Sequence, residues 1–149
     1  MAMANGAILL RNGRSGRELL RFQAHDGPVT CLDYSPDGRM LATGGDDRRV
    51  VLWSLDDGRQ LAEFQGHDDT VTSVVFSPDG QHLLSGGYEY DKRIRLWDLA
   101  TGQALRTFTG HEGGILCLVY SADGSRFFSG SRDEMIRMWD VNSGQTIRV

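Results

Sequence analysis

The chain has 149 residues, 40% of them hydrophobic and 24% charged, a balance that favours a soluble globular fold over a disordered or fibrous protein. Sixteen Lys and Arg against twenty Asp and Glu give a formal net charge of −4 without a basic block, so we expect no nucleic-acid partner. The longest apolar runs, such as residues 7–10, are too short for a signal peptide or a membrane span. We therefore expect a cytoplasmic protein, or a nuclear one in a eukaryote, without membrane contact.

Two short apolar runs near the start of the chain predict a pair of strands. They cover residues 8–10 and 19–22. Aligning Phe22 with Phe64 makes these two strands equivalent to the third and fourth strands of the units that follow. Arg11 then stands where those units have a tryptophan. We therefore predict that residues 1–23 form half of a four-stranded unit.

Residues 24–65 predict one complete unit of four antiparallel strands. The predicted strands lie at 29–34, 41–44, 50–53 and 61–64. The first two are joined by a Ser-Pro-Asp-Gly turn, and Asp37-Gly38 between two β-prone runs is a strong hairpin signal, because glycine supplies the positive φ of a tight turn. The third strand ends in a tryptophan, and a further glycine turn leads into the fourth.

The same unit recurs twice along the chain. Its markers are the histidines at 25, 67 and 111, spaced 42 and 44 residues apart, and the tryptophans at 53, 97 and 139, spaced 44 and 42 residues apart. The reversed order of the two spacings places a two-residue insertion in the second unit, between Ser85 and Asp91. We predict that these units cover residues 66–109 and 110–149, the last with a clipped fourth strand.

These units resemble WD repeats. The resemblance rests on Gly-His before the first strand (Ala24-His25 in the first unit), on Trp97-Asp98 and Trp139-Asp140 at the end of the third strand, and on the spacing between them; Trp53-Ser54 departs from the pattern. It covers nearly the whole chain. It implies an all-β fold, a WD-repeat β-propeller of about three and a half four-stranded antiparallel blades, and thus a partial propeller. The predicted divisions are a half blade (1–23) and blades at 24–65, 66–109 and 110–149.

Each unit holds a histidine, a hydroxyl residue, an aspartate and a tryptophan at matching positions. The sets are His25, Thr43, Asp47 and Trp53; His67, Ser85, Asp91 and Trp97; and His111, Ser129, Asp133 and Trp139. They imitate a Ser-His-Asp triad, but a nucleophilic site is built once, whereas this set occurs in every unit. The resemblance implies a structural hydrogen-bond network, in which aspartate accepts from histidine, histidine bonds the hydroxyl, and the hydroxyl bonds the indole. We expect no enzyme.

Metal, cofactor and disulfide sites are not predicted. Three histidines on different sheets cannot converge on one metal, and Cys31 and Cys117 lack a Cys-x-x-Cys spacing. The two cysteines share one repeat position with Ser73, which indicates a small buried residue in the innermost strand and suits a reducing compartment. The chain has no glycine-rich phosphate loop. We therefore expect no catalytic residue and no cofactor.

The insertion in the second unit is the best candidate for a binding surface. The predicted partner-binding residues are Tyr88, Glu89, Tyr90, Asp46, Arg132 and Asp69. Two exposed tyrosines beside an acid favour binding, because tyrosine offers rigid contact area and is enriched at binding hot spots. The acids of the neighbouring loops favour a partner segment with Lys or Arg. A tolerated insertion and solvated loop charge without function are the competing interpretation.

Function must then come from the surface. We predict a protein–protein interaction scaffold or adaptor that binds a peptide or domain on the loop face of the propeller. The alternative is a regulatory or sensing segment of a larger signalling enzyme, a kinase or a nucleotide-driven signalling protein, with no catalysis in this chain. WD-repeat arrays of bacterial and fungal type, which these units resemble, sit beside such domains. A hydrolase that uses the repeated His, Ser and Asp residues is the third hypothesis.

Closure of the ring is the open structural question. Three and a half blades cannot close a propeller of about six to eight blades, and two terminal apolar faces would stay exposed. Exposed apolar faces predict self-association. Either copies of the chain assemble imperfectly or the chain is a piece of a longer propeller, and we favour the piece.

Overall fold

The fold is all-β, as predicted. The computed structural model describes residues 5–149, where it has fourteen strands and no helix, and so no helix that could cross a membrane. The strands are β1 (Ala7–Arg11), β2 (Glu18–Gln23), β3 (Val29–Tyr34), β4 (Met40–Gly45), β5 (Val50–Ser54), β6 (Gln60–Phe64), β7 (Val71–Phe76), β8 (His82–Gly87), β9 (Ile94–Asp98), β10 (Ala104–Phe108), β11 (Ile115–Tyr120), β12 (Arg126–Ser131), β13 (Ile136–Asp140) and β14 (Thr146–Arg148).

The strands form four antiparallel sheets in chain order. Strands β1 and β2 make a two-stranded sheet, here the half blade, and β3–β6, β7–β10 and β11–β14 make blades 1, 2 and 3. Within each blade every strand pairs with the next one along the chain, so successive connections alternate between the two ends of the sheet. The β3–β4 and β5–β6 turns and their equivalents lie at one end, the turn end. The β4–β5 loop and the connections between blades lie at the other, the loop end.

The Ser-Pro-Asp-Gly turn is held by its own side chains. Ser35 Oγ accepts a bond of 2.8 Å from the amide of Met40 and donates one of 2.6 Å to Asp37 Oδ1. The same bonds recur in blade 3, where the hydroxyl of Ser121 and then the neighbouring amide and hydroxyl groups lower the pKa of Asp123 to about 2. Each first hairpin is therefore held by contacts within its own turn.

Apolar residues bury themselves between neighbouring blades. The cluster between blades 1 and 2 contains Ala42, Val50, Leu52, Phe64, Val71, Val74, Phe76, Leu83 and Trp97; the cluster between blades 2 and 3 contains Leu84, Ile94, Leu96, Phe108, Ile115, Leu118, Phe127 and Trp139. Burial of each large aliphatic side chain contributes about 1.5–3 kcal/mol. The sheets approach closely enough that a methyl group on Gly86 would lie 2.6 Å from Cγ2 of Ile115. Glycine after the hydroxyl residue is thus required by the contact with the next blade.

The outer face of blade 3 has no neighbouring blade in this chain. Ile136 is 67% exposed, whereas Ile94, at the equivalent position of blade 2, is 1% exposed. The prediction of a buried small residue at Cys117 is wrong, because no blade of this chain covers it and the residue is exposed. Cys31, at the equivalent position of blade 1, faces blade 2 and is only partly exposed. Whether a neighbouring blade covers the face, and not the residue type, determines how exposed these side chains are.

Candidate functional site

The repeated polar set forms one chain of hydrogen bonds in each blade. In blade 1, the ring nitrogens of His25 lie 2.8 Å from Asp47 Oδ1 and 2.8 Å from Thr43 Oγ1. The indole N–H of Trp53 donates to the same Oγ1 over 2.9 Å. In blade 3 the distances are 2.7 Å from His111 to Asp133, 2.7 Å from His111 to Ser129, and 2.8 Å from Trp139 to Ser129.

The bonding pattern fixes the direction of each bond. An ionised aspartate can only accept, so Nδ1 of the histidine carries the proton and donates it to the carboxylate. Nε2 then accepts from the hydroxyl, whose oxygen accepts from the indole N–H. The aspartate also accepts from the loop, as Asp133 does from the amide of Glu112 over 3.0 Å. The set therefore ties the second and third strands of a blade to the loop between them and to the connection that precedes the first strand.

Blade 2 adds a guanidinium to this chain. Trp97 donates to Ser85 over 2.8 Å, Ser85 lies 2.6 Å from Nε2 of His67, and Nδ1 of His67 is hydrogen-bonded to Asp91. Arg95 donates to the two oxygens of Asp91 over 2.9 and 3.2 Å and is itself buried. Sequence reasoning missed this residue, although an arginine inside the apolar run Ile-Arg-Leu-Trp was a usable signal.

Burial and charge set the ionisation of the blade 2 network. Burial lowers the pKa of His67 in spite of the nearby Asp91. Burial raises the pKa of Asp91, but the hydrogen bond and charge of His67 and the charge of Arg95 outweigh it, so the net shift is downward. The buried state is thus a neutral imidazole beside a carboxylate that Arg95 neutralises.

The geometry leaves these three hydroxyls no room to act as nucleophiles. Thr43, Ser85 and Ser129 are all buried, and each hydroxyl oxygen is already engaged by a tryptophan and a histidine. A nucleophile needs open space beside its oxygen for the substrate. Within residues 5–149, moreover, no three His, Cys, Asp or Glu side chains are grouped to hold a metal ion.

Part of the inserted loop packs against blade 3. The hydroxyl of Tyr88 accepts a hydrogen bond from Arg132, whose guanidinium carbon lies 5.5 Å from the centre of the tyrosine ring. Glu89 Oε2 accepts from the amide of Gly114 over 3.4 Å and lies 3.9 Å from Nε of Arg132. Of the two tyrosines predicted to be exposed, Tyr88 is half-buried, because the arginine of the next blade lies against it and bonds its hydroxyl.

Tyr90 is the exposed member of the loop. Its side chain is 88% exposed, and its amide donates to Asp69 Oδ2 over 2.9 Å. Asp69 Oδ1 accepts from the amide of Thr70 over 2.8 Å, so this carboxylate holds the loop. Asp46 Oδ1 accepts from the hydroxyl of Thr70 over 2.7 Å and links blades 1 and 2. Of the six predicted binding residues, Tyr90 presents the largest free apolar surface.

Comparison with known proteins gives a repeated family match. The family model of the WD domain, G-beta repeat (WD40), matches residues 16–54, 58–98 and 102–140. Each matched repeat begins in the glycine turn just before the outer strand of one sheet, β2, β6 or β10, and ends in the third strand of the next sheet. A single repeat thus spans the interface between two sheets.

Individual relatives match over short segments. A stretch of 50 residues is 40% identical to Periodic tryptophan protein 2 of Arabidopsis thaliana, covering 34% of this chain and 6% of that protein. Another of 40 residues is 50% identical to Protein HIR1 of Yarrowia lipolytica, covering 27% and 4%. A third of 39 residues is 44% identical to the human Serine-threonine kinase receptor-associated protein, covering 26% and 11%. The matched segments thus span between 4% and 11% of these relatives.

Proposed function

Because the chain belongs to the WD40 repeat family, we propose that it is a scaffold or adaptor module that binds a peptide or domain of another protein at the loop end of its blades. WD40 repeats generally mediate protein–protein interaction, and the family is typically non-catalytic. The polar sets stabilise the blades and hold the base of the loops, whose other side chains supply the contact surface.

The observation that carries the proposal is the presentation of Tyr90. The ring is free in solvent, while the backbone beneath it is bound by Asp69 and the same loop is anchored on blade 3 through Tyr88. A rigid aromatic anchor loses little conformational entropy when it is covered, and tyrosine is enriched among residues that dominate binding energy. The loop therefore combines an exposed contact residue, Tyr90, with a backbone that is held in place.

The charges of the loop end favour a basic partner segment. Each connection between blades carries an exposed acid after its histidine: Asp26, Asp68 and Glu112. Asp68 is partly neutralised by Arg93, which donates to it over 2.8 Å, and Asp26 by Arg49, whose guanidinium lies 3.5 Å away. A Lys or Arg of the partner pairs with Glu112 and lies over the ring of Tyr90 by a cation–π contact.

The test uses a displayed library of random peptides selected on the wild-type chain. An enriched peptide is synthesised and its affinity is measured by titration calorimetry against wild type, Tyr90→Ala and Leu105→Ala. Leu105 is the matched control, an exposed apolar residue of the same blade near its turn end. We expect Tyr90→Ala to weaken binding by about tenfold or more, as for an interface hot spot, and Leu105→Ala to leave it unchanged. Equal affinities for wild type and Tyr90→Ala would refute the proposal.

A further inference from the structure

A groove with an apolar lining lies at the turn end, between the half blade and blade 1. Its volume is about 370 Å³, within the range of about 300–1,000 Å³ that is usual for ligand pockets. The lining includes four leucines and a tyrosine: Leu10, Leu19, Leu20, Leu55 and Tyr34. Leu19 and Tyr34 are 58% and 49% exposed. The groove lies at the opposite end of the blades from Tyr90, so its occupation is independent of the function proposed above.

The floor of the groove is fixed by the packing of the half blade on blade 1. Leu10 and Leu55 pack against the buried cluster that contains Trp53. Leu20 lies close to the glycine turn of blade 1, where a methyl group on Gly58 would be 3.2 Å from Cδ2 of Leu20. The apolar surface is therefore already formed before any partner arrives.

The turn-end spaces between the complete blades have a different lining. Aspartates from the turns of the first hairpins line them, Asp37 and Asp79 between blades 1 and 2, and Asp79 and Asp123 between blades 2 and 3. The half blade has no such turn among residues 5–23, and leucines of β1 and β2 line the groove instead. The chemistry of this position in the repeat is thus apolar only beside the half blade.

Three arginines accompany the groove, at the end of β1 and in the turn that follows. Arg11 lines the groove, Arg14 and Arg17 follow in the turn, and all three are exposed. Glu18, the next acid in the chain, is bonded to Arg21 over 3.0 and 3.1 Å. The ion pairs that arginine forms among residues 5–149 all involve other arginines. The three positive charges are therefore free to meet a partner.

Asn12 holds the backbone of this turn. Its Oδ1 accepts from the amides of Arg14 and Ser15 over 3.0 and 2.9 Å. Its carbonyl oxygen accepts from the amide of Gly16 over 2.8 Å, and Gly16 has the positive φ of 68° that this turn requires. The positions at which the arginine side chains leave the backbone are thus fixed.

The pair of arginines within the turn is specific to the half blade. Alignment on the turn glycine gives the equivalents of Arg14 and Arg17 in blades 1, 2 and 3 as Asp56 and Arg59, Ala100 and Gln103, and Asn142 and Gln145. Arg59 lies 3.9 Å from Asp57, which offsets its charge. Asp56 also lines the groove, but its single charge leaves an excess of positive charge around it. The surroundings of the groove therefore complement a negatively charged segment.

From the preformed apolar groove and the unpaired arginines beside it, we propose that this surface binds an acidic, amphipathic segment of a partner protein. A large apolar side chain of the segment lies among the leucines. Its flanking Asp or Glu carboxylates accept from Arg11, Arg14 and Arg17, because the guanidinium fork matches a carboxylate. The two ends of the blades then take segments of opposite charge, a basic one at the loop end and an acidic one at the turn end.

The test selects a displayed peptide library on the full chain, with two apolar positions flanked by Asp and Glu. An enriched peptide and a control peptide with Asn and Gln for its acids are titrated by calorimetry. Arg14→Asn with Arg17→Gln installs the residues of the β13–β14 turn and so preserves the fold. Leu19→Ala has Leu105→Ala as its matched control, since both leucines are exposed at the equivalent position of an outer strand. Tyr90→Ala is the loop-end control.

We expect the acidic peptide to bind wild type, Leu105→Ala and Tyr90→Ala equally. The double arginine variant should weaken it by about fivefold or more, Leu19→Ala by about threefold or more, and raised salt should weaken wild type as well. The control peptide should bind no better than the acidic peptide binds the double variant.

The proposal is overturned if no acidic peptide is enriched, if the double arginine variant keeps its affinity, or if Leu105→Ala loses as much as Leu19→Ala. Vesicles of phosphatidylserine and phosphatidylcholine are tested in parallel. Binding to these vesicles that depends on the arginines, without peptide binding, would assign the surface to a membrane and would equally overturn it.

Discussion

Blades 2 and 3 have nearly the same sequence pattern but different surroundings. Both hold an isoleucine at the start of the third strand, yet Ile94 is buried against blade 3 and Ile136 is exposed. The tryptophans do not differ in this way, because Trp97 and Trp139 both face the preceding blade and are both buried. The repeat therefore encodes the blade, whereas the neighbouring blade decides which of its faces is buried.

The polar sets differ between the same two blades. Arg95 is bonded to Asp91 inside blade 2, whereas Nε of Arg137, at the equivalent position of blade 3, is buried without a partner among the described residues. A buried carboxylate that pairs with arginine is costly to neutralise, because the arginine then remains buried and uncompensated. The middle blade should therefore be the more sensitive of the two to changes in its network.

The largest expected effect is that of Asp91→Asn. It leaves Arg95 buried without its counter-charge, and we expect a loss of about 3–5 kcal/mol in the free energy of unfolding. Asp133→Asn, at the equivalent position of blade 3, should cost about 1–2 kcal/mol, because hydrogen bonds from His111 and the loop amides are weakened but no arginine loses a counter-charge. Urea unfolding followed by circular dichroism measures both, and equal losses would contradict the difference between the blades.

Truncation of the two isoleucines tests directly which face of each blade is covered by a neighbouring blade. Ile94→Ala should lower the free energy of unfolding by about 2–5 kcal/mol, because it opens a cavity between blades 2 and 3. Ile136→Ala should cost less than about 1 kcal/mol, because the side chain is already in solvent. A large loss from Ile136→Ala, measured by the same unfolding experiment, would mean that another surface covers this face in solution.

Acid should weaken the network of blade 3 at a defined pH. Burial raises the pKa of Asp133, but the hydrogen bond from His111 and those from the loop amides outweigh it and lower the value to about 2. A carboxyl whose pKa is lower in the folded state stabilises the fold fully above its unfolded value of about 4, and this contribution is lost as pH falls towards 2. Unfolding midpoints of Asp133→Asn should therefore depend less on pH between 4 and 2 than those of wild type. Parallel pH profiles for the two chains would exclude this role.

The two cysteines allow the test that perturbs the protein least, because it needs no mutation. Burial raises the pKa of Cys31 to about 12, whereas Cys117 lies exposed on the open face of blade 3. The thiolate is the reactive species, so iodoacetamide should modify Cys117 faster than Cys31 by about a hundredfold or more in the native chain. Mass spectrometry of tryptic peptides after timed quenching measures the two rates. Similar rates would show that the interface of blades 1 and 2 opens readily.

Much of the fold could be predicted from the sequence because the chain repeats it. The recurring turns and apolar runs predict the strands. A polar set that recurs in three units argues against a single catalytic site, and the resemblance to WD repeats implies the hydrogen-bond chain that is seen in each blade. The partial burial of Tyr88 and the exposure of Cys117 could not be predicted. Both depend on contacts across blades, the first on the reach of Arg132 and the second on a face that no blade of this chain covers.

The site was predictable only in part for a similar reason. The two-residue insertion marks the loop in the sequence, but which of its tyrosines is free depends on the side chains it meets. The role of Asp69 as a support for Tyr90 also arises from a backbone contact between two loops, which no local pattern encodes.

The most direct test of the account is to map where a selected peptide binds on the isotopically labelled chain by amide chemical shifts. The two surfaces that compete for a partner are the loop around Tyr90 and the open apolar face of blade 3, which carries Phe128 and Ile136. We predict that the shifts centre on Tyr90, Asp69 and the neighbouring loop of blade 3, and that they disappear in Tyr90→Ala. Shifts confined to Phe128 and Ile136 would contradict the account and would assign binding to the uncovered face of the blade.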